Sequence, residues 1–123
     1  MHLMVNKMLA PMLDDVVDDG FISPRRMSER LGVPLAELAR IARLHRNTLA
    51  RPTSPAVQRN LGEIARILAR AAAISGDPNR AVIWFRHQPI AGFDHRTAQE
   101  LVAEGHAEAV MGHLEDLEEG IYA

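Results

Sequence analysis

The sequence has no cysteine, so disulfides, thiolate nucleophiles and thiolate ligands for a metal are all excluded. Aromatic residues are scarce: one Trp, one Tyr and three Phe. No apolar run approaches the roughly 20 residues needed to span a bilayer. The first residues lack the basic start and long apolar stretch of a secretion signal, and with the missing cysteines this leads us to expect a cytoplasmic protein with no membrane partner. The six His do not fall at ligand spacing. His106 and His113 share a helix face two turns apart, too far for one ion, so no metal site is expected. Neither a Gly-rich phosphate loop, nor H-E-x-x-H, nor a Ser/His/Asp arrangement occurs, so neither an enzyme nor a cofactor is expected.

What the chain has is apolar content and an uneven charge. Of its 123 residues 47% are hydrophobic, enough for a core and too many for general disorder. The net charge of −2 conceals a split. Residues 1–19 set Lys7 against Asp14, Asp15, Asp18 and Asp19, leaving −3. Residues 20–80 set eleven Arg against Glu29, Glu37, Glu63 and Asp77, leaving +7. Residues 81–123 set Arg86 and Arg96 against eight acids, leaving −6. A basic block of this kind is the footprint of phosphate binding, although Arg-rich helices also serve as plain solvated surface. The acids Glu115, Asp116, Glu118 and Glu119 read as a solvated face or as an attractor for a basic partner.

At the centre of the basic block lies PLAELARIARLHRNTLARP, residues 34–52. Its pattern predicts a helix-turn-helix, two short helices meeting at a sharp bend. The first starts at Pro34, with Leu35, Leu38, Ala39 and Ala42 on one apolar face and Ala39 small enough for close crossing. The turn is Arg43-Leu44-His45, with Leu44 inward. The second runs from Arg46 to Arg51, with Leu49 buried and Arg46, Asn47, Ala50 and Arg51 outward. Arg can pair with guanine, Asn with adenine, and Thr48 with a phosphate. Arg43 stands where such turns usually carry Gly, so it is either left-handed, at about 1–2 kcal/mol, or part of a different turn. A structural helical pair with a basic rim fits the same pattern.

Elsewhere the signals are also helical, and the fold class expected is all-α, without strands or repeats. Residues 1–20 place Val5, Met8, Leu9, Met12 and Val16 on one face but interrupt it with Pro11, so an arm and a packed helix both fit. Ser23-Pro24 opens a short helix that Gly32 closes. Ser54-Pro55 opens a long one, with Val57, Leu61, Ile64, Leu68 and Ala71 as its stripe, ending by Gly76. Asp77-Pro78 opens a helix that AVIWF makes apolar on every side, which predicts either burial between layers or cover by a partner, with Trp84 as a core anchor first and an interface residue second. Pro89 ends it, and residues 90–96 form a loop. Thr97 to Glu100 is a capping box for a helix closed by Gly105. The last helix runs from His106 to about Glu119, with Ala107, Val110, Leu114 and Leu117 on one face, and Gly120 leaves a short apolar tail.

Two blocks then resemble the Xre/MbcA/ParS-type antitoxins, partners of RES-domain toxins in bacterial toxin–antitoxin operons. One is ELARIARLHRNTLARP with LGEIARIL behind it; the other comprises AVIWF, GFDHRTAQELVAEGHAEAV and LEDLEEGIYA. The resemblance covers residues 24–123. It implies a helix-turn-helix bundle over residues 21–76, a small helical toxin-binding domain over 77–123, and an unassigned segment over 1–20. It further implies repression of the chain's own operon, usually as a homodimer on operator DNA, and occlusion of an NAD-degrading RES-type toxin. Carried over by position, Arg43, Arg46, Asn47, Thr48 and Arg51 belong to the DNA side. Trp84 and Phe85 frame the second domain. The toxin side takes the loop Gly92 to Arg96, with Phe93, Asp94, His95 and Arg96, and the tail Gly120, Ile121, Tyr122 and Ala123. Asp94-His95 stands where the family often has Gly-Gly. The residues alone also fit a stand-alone helix-turn-helix regulator whose C-terminal domain dimerises or senses a ligand, and a protein-interaction module without a DNA role.

Overall fold

The structure, a computed structural model, describes residues 14–122, with no account of the side chains of residues 121 and 122. The helical face expected over Val5 to Met12, and Ala123, therefore lie outside the described residues. The fold is all-α, with one small sheet. Among the described residues no helix is long and apolar enough to cross a membrane.

The sheet departs from the expectation of no strands. β1 (Val17–Asp18) and β2 (Phe21–Ile22) pair antiparallel around Asp19-Gly20. Both turn residues have positive φ, 52° and 82°, as a type I′ hairpin turn requires; Asp-Gly favours it. The strands are too short to show alternation, so only the turn carried a signal.

Three helices begin as their side chains dictate. In α1 (Pro24–Leu31) the Ser23 hydroxyl accepts from the Arg26 amide at 3.2 Å, and Gly32 ends the helix at φ 71°. In α4 (Pro55–Ser75) Ser54 caps Val57, and Gly76 ends it at φ 77°. In α5 (Pro78–His87) the Asp77 carboxylate accepts from the Asn79 amide at 2.9 Å. Each Pro occupies the first turn, where its missing N–H leaves no bond unmade.

Between α1 and α4 stand α2 (Leu35–Ile41) and α3 (Arg46–Leu49). Pro34 is the residue before α2 rather than its first helical residue, with extended backbone at ψ 157°. Leu38, Ala39 and Ala42 are buried as expected, whereas Leu35 is 46% exposed. α3 is a single turn and stops two residues short of Arg51. Pro52 disfavours helical backbone at the residue before it, which accounts for the early end.

α4 is the spine, about 31 Å long at 1.5 Å per residue. Val57, Leu61, Ile64, Leu68 and Ala71 are all buried along it. It packs against α3 and β2 and also against α5 and α7 (Ala107–Tyr122). The boundary expected after residue 76 falls in the Gly76-Asp77 link, and one continuous core crosses it. α5 is not enclosed: Ala81 and Phe85, four residues apart, face the core, Trp84 is half-buried, and Ile83 is 61% exposed. Its apolar run exceeds what one packed face can cover.

The loop after α5 closes on itself. Pro89 bridges Thr97, and the Ile90 amide donates to the Arg96 carbonyl at 2.9 Å. The capping box then starts α6 (Ala98–Ala103): the Glu100 amide donates to Thr97 Oγ1, and the Thr97 amide to Glu100 Oε1, each at 3.1 Å. α7 continues through Gly120, where a stop and a tail were expected. A helical Gly costs only about 1 kcal/mol against Ala, too little to end a helix unaided. Leu117, expected on the buried face, is 41% exposed.

Candidate functional site

The turn between α2 and α3 places the residues expected to meet DNA. Arg43 is left-handed, at φ 57°. The Leu44 amide closes the bend onto the Ala39 carbonyl at 2.9 Å, and the Asn60 side chain holds the Ala42 carbonyl from α4 at 2.8 Å. The bend before α3 is thereby tied to the spine, and within α3 Leu49 is buried. Arg46, Asn47 and Arg51 are exposed, and Thr48 is half-buried.

Two clefts flank α3. One, of about 340 Å³, has an apolar floor that includes Pro24 and Leu49, with Arg25 and Arg46 among its walls. The other, of about 490 Å³, is lined by Asn47, Thr48, Arg51, Ser54 and Arg59 among others. The four arginines of these clefts differ from most others in the basic block. Arg26, Arg30, Arg40, Arg43, Arg70 and Arg80 each lie within 4.0 Å of a carboxylate. Among the described residues, Arg25, Arg46, Arg51 and Arg59 have none that close. Their charge is available to an anion, and both clefts open to solvent. Of the expected DNA residues, the structure gathers Arg46, Asn47, Thr48 and Arg51 about α3. Arg43 lines neither cleft: its Nη1 lies 3.5 Å from Glu63 Oε1 and donates to the Val102 carbonyl at 3.0 Å.

Sequence reasoning did not single out Arg25 and Arg59. Arg25 follows the capped Pro24, and Arg59 sits four residues before Glu63, a spacing that reads as an ion pair.

The second group of candidates is more scattered. Trp84 and Phe93 are half-buried against the core. Asp94 and His95 are exposed, both left-handed, at φ 54° and 63°. Arg96 is paired with Glu104 at 3.1 Å. Gly120 is exposed on α7, and Ile121 and Tyr122 continue its helical backbone. Among the described residues no hydrogen bond or ion pair joins the loop 92–96 to the end of α7. Exposed Ile83 lies beside Trp84 on α5 and was not among the residues carried over. Among the described residues, no three His, Asp or Glu side chains gather where they could hold a metal ion.

Comparison with known proteins finds no protein family, no curated protein and no solved structure that matches the chain.

Proposed function

We propose that the chain is a two-headed antitoxin of a type II toxin–antitoxin system. Its helix-turn-helix half, α1 to the start of α4, binds operator DNA and represses its own operon. Its C-terminal half covers a RES-type, NAD-degrading toxin. The observation that carries the reading is the pair of clefts beside α3, whose arginines have no carboxylate partner among the described residues and suit phosphate. The acidic C-terminal third supports the second head. Glu115, Asp116 and Glu119 are exposed on α7, while Glu118 meets Arg70 far along α4 from the clefts. DNA would repel those carboxylates, and a protein partner would not. The identity of that partner rests on the resemblance of the C-terminal blocks. Asp94 and His95 support it in one respect: they adopt the backbone that Gly-Gly favours at the same place.

The test is co-expression with the protein encoded beside this chain. Arrest of growth by the neighbour alone, with rescue by this chain and co-elution on a sizing column, is the expected result. A harmless neighbour and a chain that elutes alone would remove the toxin from the reading. The exposure of Ile83 would then favour the regulator, in which α5 meets a second copy of the chain.

A further inference from the structure

α4 carries a single carboxylate, Glu63, among Arg59, Arg66 and Arg70. Arg59 is four residues before it, so the two are neighbours on the helix surface and able to pair. They are not paired. Glu63 is taken by Arg43, at 3.5 Å, from the turn before α3. Arg43 reaches it from a left-handed backbone, and the same Nη1 is anchored on the Val102 carbonyl at 3.0 Å. The side chain therefore spans from the turn to α6 across the carboxylate. Arg59 is left facing the cleft with Arg51, Thr48 and Ser54.

We propose that this cleft holds a nucleic-acid phosphate between Arg51 and Arg59, and that Arg43 keeps it cationic by engaging Glu63. Arg43 is then a positioning residue, acting on the phosphate through Glu63 and not by touching DNA. The proposal rests on the DNA-binding reading above and deepens it. The chemistry is that of a phosphodiester: one negative charge facing two guanidinium groups that lie beside the hydroxyls of Thr48 and Ser54. The Ser54 oxygen already accepts from the Val57 amide, which leaves its proton to donate. Were Arg43 neutral, Glu63 would be free to turn to Arg59, and one of the two charges would be lost to the phosphate.

The experiment is the salt dependence of binding, read by fluorescence anisotropy with labelled duplexes tiled across the DNA upstream of the chain's own gene. Each lost phosphate contact lowers the slope of log affinity against log salt by about 0.9. Arg59→Gln is expected to lower it by about that amount. Arg43→Gln, which retains a donor for Val102 while removing the charge, is expected to lower it by up to the same amount. The double variant Arg43→Gln with Glu63→Gln is expected to return the slope to wild type, because no acid remains to compete for Arg59. A direct contact from Arg43 to DNA predicts no such rescue, and a double variant as flat as Arg43→Gln overturns the proposal. So does an Arg59→Gln slope equal to wild type. Glu63→Gln alone breaks the same pair from the acid side and must leave the slope at or above wild type. A fall there overturns the proposal even if Arg43→Gln does not fold. Failure of the wild-type chain to bind any duplex at low salt would instead remove the DNA reading itself.

Discussion

Gln58 and Ile22 are joined twice. The Gln58 carbonyl oxygen accepts from the Ile22 amide and its side-chain nitrogen donates to the Ile22 carbonyl, both at 2.9 Å. The same nitrogen also donates to the Pro52 carbonyl at 2.7 Å. One amide on α4 thus holds both the hairpin and the segment after α3. Gln58→Leu keeps the bulk but leaves partly buried backbone groups without partners, at about 1–3 kcal/mol. Chemical denaturation should register that loss. Unchanged stability would mean that water replaces the side chain at no cost.

The left-handed pair in the loop should respond unequally to glycine. Asp tolerates φ 54° better than His tolerates φ 63°, because a short acceptor side chain can bond its own backbone. Gly relieves the strain but loses more entropy on folding, by about 0.5–1 kcal/mol. His95→Gly is therefore expected to stabilise by up to about 1 kcal/mol, and Asp94→Gly to change stability little. Melting temperatures compared side by side would check the order; a larger gain at Asp94 would contradict it.

Acid should weaken the fold through Glu37. The Arg40 guanidinium hydrogen-bonds its carboxylate at 2.8 and 2.7 Å and holds Glu37 below the usual carboxylate range, while burial opposes this and the charges of Arg40 and Arg86 reinforce it. Because the folded value is depressed, the stabilisation is complete above the unfolded value and is lost as pH falls through the folded one. The pair is largely exposed, so its size is a few tenths of a kcal/mol. Glu37→Gln should be slightly less stable than wild type at neutral pH, with the gap closing in acid. A gap that stays constant down the acid limb would rule out the pair as its cause.

α5 offers a contrast between neighbours. Phe85 is fully buried and Ile83 is 61% exposed, two residues away. Phe85→Ala should cost about 3–5 kcal/mol. Ile83→Ser should shift stability by less than about 0.5 kcal/mol, yet reduce capture of a protein partner in the co-purification. Full capture by Ile83→Ser would place the docking surface elsewhere.

Four helix starts were legible because their causes are local. Ser23-Pro24, Ser54-Pro55, Asp77-Pro78 and the Thr97–Glu100 box each act within four residues, so no tertiary knowledge was needed. The stripe of α4 was legible by periodicity. What was hidden depended on distant partners. Leu35 reads as core by spacing, but it is 46% exposed. Glu63 stands four residues after Arg59, yet the turn brings Arg43 to it from twenty residues away. The hairpin is a different case: Asp19-Gly20 suits its turn, but no turn was read there, and the two-residue strands carry no alternation. Gly120 was read as punctuation in a helix that runs on past it.

The single core that runs along α4 bears on inheritance. A recombination joint at Gly76 would separate the spine from α5 and α7, which cover part of its apolar stripe. Either fragment, grafted onto another protein, would carry bare hydrophobic surface. Parting the basic face from the acidic one would therefore expose that stripe on both pieces.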